Sequence, residues 1–283
     1  MTRLLWQAAT GSVLGRICSG WLLLVLAGAL FGTSLSAWDP EHIDWDALET
    51  APDAKHWFGT DLIGRDLFAR IMLGAEVSLS VATVATLVSL LIGVPYGAFA
   101  GLKGGRTDEV MMRAIDTLYA VPFILIVILL MVVFGREPIL LFVALGAVFW
   151  LDIARIVRGQ TLVIREQSYI QVARTLGAGR GHILLHHVLP NVAGPALVYA
   201  TLTIPAVILA ESFLSFLGLG IQEPATSWGV LIADGARTME AAPWTLVFPA
   251  LFLGATVWSL NMLGDRIRDQ YDRLTQGYTA EHP

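Results

Sequence analysis

Apolar residues along this chain gather into long runs instead of alternating with polar ones. Six runs reach the roughly 20 mostly apolar residues that a helix needs to cross a bilayer: 17–37, 76–100, 111–134, 138–157, 194–219 and 245–264. The pattern predicts an all-α integral membrane protein with about six transmembrane helices. The fifth run holds Pro195 near its start and Pro205 inside it. Neighbouring helices can satisfy the carbonyl that a proline frees within a membrane. Basic residues ahead of the first run, with Ser34 and Ser36 near its end, also fit a cleaved signal segment. An uncleaved first helix accounts for the same residues, and the other runs are unaffected.

The polar segments between the runs carry the orientation. With the N-terminus inside, only Lys55, Arg65, Arg70, Arg136 and Arg237 face outward, and the other 13 of the 18 basic residues are cytoplasmic. That bias follows the positive-inside rule and places both termini in the cytoplasm. The expected organisation is a cytoplasmic N-terminus and first span (1–37), an external segment (38–74), a five-helix core (75–265) with a long inner loop (158–193), and a cytoplasmic tail (266–283). Trp38, Trp45, Trp57, Trp228 and Trp244 are expected in an aromatic belt at the outer boundary.

Composition narrows the function. The chain is 55% hydrophobic and 14% charged, against about 25% charged in a soluble domain. A net charge of -5 and only two lysines offer no patch for nucleic acid. Cys18 is alone, which excludes an internal disulfide and a cysteine-rich metal site. Neither Lys55 nor Lys103 follows a glycine, so the Gly-Lys of a phosphate-binding loop is missing. The chain is expected not to be an enzyme and to bind no cofactor or metal itself.

The inner loop carries the most information. Ser168, followed three residues later by Gln171, fits a capping box. Tyr169, Val172, Ala173 and Leu176 then recur at helical spacing and form one apolar stripe. Gly177 is placed to end that helix in a left-handed conformation. A second short helix is expected over Gly181–Val188, stopped at Leu189-Pro190-Asn191 because proline cannot continue the hydrogen bonding. An apolar stripe outside the membrane marks a contact surface; packing back on the chain's own membrane helices is the alternative.

Other candidates are weaker. His182 and His186 are four apart, but Ile183 stands where a His-Glu-x-x-His zinc motif needs Glu. Glu211 is ionisable within a span and is a candidate for a translocation path by that fact; reaching water or a neighbouring helix is the alternative. Pro205 permits either a moving bend on that path or a fixed kink. Asp116 with Arg113, and Asp152 with Arg155, are expected as local pairs.

The inner loop also resembles the "EAA" loop of bacterial ABC importer permeases: Glu-Ala-Ala, three residues, Gly, nine residues, an apolar position, one residue, Leu-Pro. Ala173, Gly177, Leu189 and Pro190 match in register, and His187 fits the subfamily pattern. Gln171 stands where the family has Glu, and Val172 where it has Ala. The segments from His56 to Asp61 and Gly64 to Asp66, Leu214 to Gly220 with Ser227-Trp228-Gly229, and Asn261 to Asp265 are similar to the dipeptide/oligopeptide/nickel permeases of the C type. The resemblance covers about residues 15–274.

It implies the type I ABC importer permease fold in a bacterial plasma membrane. Its implied partners are a homologous second permease, one or two cytoplasmic ATPase subunits that use ATP and Mg, and an external solute-binding protein. Ser168, Gln171, Ala173, Gly177, His187, Leu189 and Pro190 would couple to the ATPase, and Glu211 and Pro205 would serve the path. Peptides are the implied solute class, with nickel chelates, opines and glutathione open. A secondary transporter or a non-catalytic structural membrane subunit is the competing expectation. The first would want ionisable groups or broken helices in paired halves, and the second leaves the inner loop without a purpose.

Overall fold

The computed structural model describes residues 8–134 and 138–281. Arg3 and Arg136, both counted in the orientation argument, lie outside them. Ten helical elements are named here. They are α1 (Val13–Leu35), α2 (Leu67–Lys103), α3 (Gly105–Tyr119), α4 (Phe123–Phe134), α5 (Pro138–Arg165), α6 (Ser168–Thr175), α7 (Arg180–Ile183), α8 (Leu189–Phe216), α9 (Trp228–Thr238) and α10 (Trp244–Glu281). A π-turn, Leu184–Val188, joins α7 to α8. Among the described residues there is no strand beyond an isolated bridge between Thr60 and Asp66.

Among the described residues four helices are long and apolar enough to cross a membrane: Val13–Leu35, Leu67–Lys103, Arg180–Phe216 and Trp244–Arg273. A fifth span arises if α3 and α4, bent by 82° at their break, are taken together. The run expected over 138–157 is helical in α5, which is not counted among the spans of the described residues. The expected count of about six is therefore not confirmed. Residues 266–281, expected as a separate tail, continue α10.

Helix starts follow from local chemistry. Asp66 caps α2 by accepting the Ala69 N–H at 2.8 Å, and Ser12 caps α1 by accepting the Gly15 N–H at 3.0 Å. Such caps satisfy backbone donors that have no partner inside the helix. Both ends of the described chain meet at one end of the bundle, where Arg266 on α10 donates to the Ser12 hydroxyl. Lys103, the 166–179 loop and Tyr271 share that end, called the loop end below.

α2 is the hub. It packs against α1, α5, α8 and α9 and makes its most extensive contact with α5. The two helices run in the same direction with their backbones touching. A Cβ added at Gly93 would lie 2.7 Å from the Trp150 carbonyl oxygen. One added at Gly97 would strike the Ala154 carbonyl, and one at Gly101 would lie 2.7 Å from Thr161 Cβ. Gly146 on α5 receives Val88 of α2 in the same way. Lipid is as apolar as leucine, so helices in a membrane associate through such close packing and not through hydrophobic exclusion from water. Asp108 on α3 then ties into α5 through a two-pronged pair with Arg158, at 2.7 and 2.6 Å.

Several expected positions change. Trp228 is fully buried in the core and donates its indole N–H to the Ile71 carbonyl at 3.2 Å, so it is not a belt residue. Trp45 and Trp57 are exposed. The expected local pairs are replaced. Arg113 pairs with Glu109 at 2.5 Å, and Arg155 reaches across to Asp116 at 2.6 Å and lies over the Tyr119 ring. Asp152 accepts from the Tyr119 hydroxyl. Asp116 and Asp152 thus find their partners on a facing helix, while Arg113 takes a different neighbour on its own.

Replacing Gly97 by leucine is expected to destabilise the folded protein by at least the 1–3 kcal/mol typical of overpacking. Leucine at Gly254, which has nothing within 4 Å of its added Cβ, is expected to leave the melting temperature in detergent nearly unchanged. Equal melting of the two variants would refute the packing argument.

Candidate functional site

The loop is fastened to the bundle at the end of α5. Arg165 donates to the Gly101 carbonyl at 3.1 Å and to Glu166 at 2.9 Å. α6 starts at Ser168 with Gln167 as its cap and no side-chain cap bond. The expected Ser168–Gln171 capping box is not formed. The helix begins one residue early, so Ser168 already has helical backbone, and the Gln171 amide donates back to the Glu166 carbonyl at 3.2 Å. The other end of α6 agrees with expectation. Gly177 has φ +86°. Its N–H bonds the Arg174 carbonyl and that of Ala178 bonds the Ala173 carbonyl, both at 3.0 Å. These are the paired bonds of a Schellman ending.

α6 docks on the bundle through a residue outside the apolar stripe. Ile170 is fully buried among Ala98, Leu102, Ile153 and Val157. Ala173 is half-buried, while Tyr169, Val172 and Leu176 are exposed, Leu176 at 81%. One face of the short helix is satisfied within the chain and the other offers an apolar surface.

The second helix does not stop at Leu189-Pro190. It continues through the π-turn into α8, with Pro190 in the first turn of α8. The Leu189 N–H bonds the Leu184 carbonyl, a five-residue step. That wider turn accommodates a proline which has no N–H to give and whose ring crowds the carbonyl four residues back. Asn191 covers the His187 carbonyl from its side chain at 2.6 Å. Arg180–Phe216 therefore forms one helix of 37 residues. Leu189 is partly buried and Pro190 exposed. The His182 and His186 rings stack with centroids 4.2 Å apart, and His187 lies 5.9 Å from His182 and 6.2 Å from Tyr169. Among the described residues no group of three His, Cys, Asp or Glu is placed to hold a metal.

Glu211 and Pro205 are both buried inside the chain. Glu211 has 0% exposure. Its carboxyl accepts from Ser215 at 2.7 Å and from Ser212 and Ser78 at 3.4 Å. Ser78 belongs to α2 and in turn accepts the Trp228 N–H at 3.3 Å. Ser227 caps α9 by accepting the Val230 N–H and lies 3.5 Å from Ser215. One carboxyl thus joins α2, α8 and the start of α9. Ser78 and Ser227 carry no sequence signal of this role, because they lie far from Glu211 or across a turn.

The far end holds a charged cluster that sequence reading left as separate residues. Asp61 accepts from Arg65 at 2.7 Å and from the buried Arg70 at 3.1 Å. Arg65 also bonds Glu223 at 3.0 Å, and Arg70 reaches Thr226 at 3.4 Å. Burial opposes the Arg65 charge, but Asp61 and Glu223 outweigh it and raise its pKa. Burial, reinforced by Glu223, raises the Asp234 carboxyl above its usual range. These groups line a cavity of about 390 Å³. Beside it, His56 is buried under Trp38 with Nδ1 2.9 Å from Asp66.

The family described as "Binding-protein-dependent transport system inner membrane component" matches residues 93–276. The oligopeptide transport system permease protein OppC of Haemophilus influenzae is 44% identical over 276 residues, covering 95% of this chain and 89% of the relative. The dipeptide transport system permease protein DppC of Bacillus subtilis is 46% identical over 252 residues, covering 89% and 79%. The glutathione transport system permease protein GsiD of Escherichia coli O6:K15:H31 (strain 536) is 37% identical over 257 residues, covering 90% and 85%.

Substitutions at two positions test this geometry. Ser168→Ala is expected to change stability by less than about 0.5 kcal/mol, since no cap bond is lost; a working capping box would cost about 1 kcal/mol. Glu211→Ala is expected to cost at least 1–3 kcal/mol by leaving buried hydroxyls unpaired, while Glu211→Gln keeps an acceptor and most of the stability. Thermal unfolding of the purified protein reads both. A stable Glu211→Ala protein would refute the assignment of that carboxyl as a joint.

Proposed function

The chain belongs to the family of binding-protein-dependent transport system inner membrane components and is a permease subunit of an ABC importer, and from this premise we propose that it forms half of a translocation pathway for peptides. Oligopeptide and dipeptide permeases stand among its relatives at 44% and 46% identity, which favours peptides over the glutathione of the 37% relative. A homologous second permease supplies the other half. One or two ATPase subunits drive the cycle with ATP and Mg, and an external binding protein delivers solute. The chain sits in a bacterial plasma membrane with both termini cytoplasmic, supported by the excess of Lys and Arg at the loop end.

Coupling runs through residues 168–188. The observation that carries this reading is the division of α6 into an anchored face at Ile170 and a free apolar face at Tyr169, Val172 and Leu176. The free face, with Gln171, Ala173 and His187 around it, is the surface an ATPase groove would cover. Gly177 sets the turn into α7, and Leu189 and Pro190 keep α7 continuous with α8. ATP-driven closure of the ATPases moves the loop as a body, and α8 carries that displacement across the membrane. Glu211 and Pro205 serve the path from behind its wall: Glu211 holds α8 to α2 and α9, so those elements move together.

Charging the free face is the direct test. The double variant Val172→Glu, Leu176→Glu is expected to insert and fold normally, since both side chains are exposed. It is expected to lose most peptide uptake and to lose the ATPase on purification in mild detergent. Wild-type uptake with the ATPase retained would overturn the coupling assignment.

A further inference from the structure

A third cavity, of about 280 Å³, lies at the loop end beside the 168–188 segment, which supplies Arg180, Gly181 and Leu184 to it, and away from the far-end cluster. Its lining is Phe99, Leu102, Lys103, Arg180, Gly181 and Leu184. The composition is one-sided: two cations, no acid, and apolar walls. Neither Lys103 nor Arg180 makes an ion pair among the described residues. The acid nearest in sequence to Lys103, Asp108, is taken by Arg158 at 2.6 Å, and the one nearest to Arg180, Glu166, by Arg165 at 2.9 Å. Lys103 instead lies over the Phe99 ring, 5.5 Å from its centroid.

The position in the fold is as informative as the composition. Lys103 is the last residue of the span Leu67–Lys103, and Arg180 is the first of Arg180–Phe216. The two cations therefore sit together at the loop-end termini of two membrane-crossing helices. Phe99, one turn before Lys103, is 44% exposed and belongs to the apolar run 76–100. A ligand matching this cavity carries negative charge at the membrane boundary and an apolar chain that runs back along Phe99.

We propose that the Lys103–Arg180 cavity binds the phosphate headgroup of an anionic phospholipid such as phosphatidylglycerol, with an acyl chain lying against Phe99. Arg180 supplies a planar set of donors for phosphate oxygens and Lys103 a compact charge. Juxtamembrane cations attract anionic lipid, and basic pockets between spans hold headgroups. Inorganic phosphate shares the anion chemistry but makes no use of the apolar walls. The bound lipid joins the end of α2 to the start of α7, which places it beside the coupling helix. The inference rests on the chain's membrane location and not on its solute or on its ATPase.

The test uses the detergent-purified permease complex and native mass spectrometry, titrating phosphatidylglycerol, phosphatidylcholine or inorganic phosphate. Phosphatidylglycerol is expected to bind at one saturable site, with phosphatidylcholine and phosphate much weaker. Lys103→Gln with Arg180→Gln is expected to weaken phosphatidylglycerol roughly 30-fold, from about fivefold per charge. Lys103→Arg with Arg180→Lys keeps the charges and is expected to retain binding; both positions are exposed, so folding is preserved. Equal phosphatidylglycerol affinity in the Gln variant overturns the proposal. So does equal binding of phosphatidylcholine. A Gln variant that loses the ATPase but keeps its lipid also overturns it, and assigns the cavity to the ATPase. Uptake is not read, so failure here leaves the importer reading untouched.

Discussion

Backbone contact between α2 and α5 is the constraint on which the remaining geometry depends. Gly93, Gly97 and Gly101 repeat every fourth residue and present one bare strip of α2 to the carbonyls of Trp150, Ala154 and Arg158. No other side chain fits there. At the loop end Ala98 and Leu102 of α2, Ile153 and Val157 of α5, and Ile183, Val188, Val192 and Ala196 of the helix through α7 and α8 form one apolar cluster that Ile170 of α6 joins. Arg165 fastens the loop to α2 by bonding the Gly101 carbonyl. A side chain at Gly97 would shift the docking surface as well as the bundle.

The same arrangement explains how a short loop can act at a distance. α7, the π-turn and α8 form one helix of 37 residues, about 55 Å long at 1.5 Å per residue. Its loop end carries the exposed histidines and its far end carries Glu211. A stop at Leu189-Pro190 would have placed a hinge between the two. The π-turn removes that hinge by letting the chain pass a proline without breaking the helix. Displacement of α7 is then displacement of α8, and through Glu211 and Ser78 it bears on α2 and α9. The carboxyl is worth more as a joint than as a lining group, because an ionisable residue with no exposure is useful only for what it bonds.

Run length and glycine placement were legible in the sequence; partner choice was not. The apolar runs located α1, α2, α8 and α10, and Gly177 announced its own left-handed turn. α6 misled because Ile170 and the Tyr169–Val172–Leu176 stripe lie on different faces of an eight-residue helix. Periodicity cannot say which face meets the protein when both are apolar. The capping box failed over a one-residue shift at the helix start, within the usual uncertainty of such boundaries. Asp116 and Asp152 found partners across helices, at Arg155 and Tyr119, where local spacing pointed to neighbours. Trp228 reads as a boundary residue until Ser78 and Ile71 are brought around it by the fold. Motif resemblance reached further than spacing did, since it carried the loop, the far-end segments and the family together.

The two ends of the molecule are held by different forces, and that asymmetry suits a subunit moved from one side. At the far end Arg70 is almost wholly buried with Asp61, Thr226 and Glu223 around it. Breaking one partner of a buried charge cluster strands the other, at a cost of several kcal/mol. The far-end segments are therefore locked to α2 and α9. At the loop end the 166–188 segment is held by the buried Ile170, Ile183 and Val188, by the Arg165 bond to the Gly101 carbonyl and by apolar contact. Apolar contact is non-directional and tolerates small rotations. Force applied at the loop end thus acts on the more compliant attachment. In the proposed cycle the charged far end would move as a unit with α2, α8 and α9, without its ion pairs being remade.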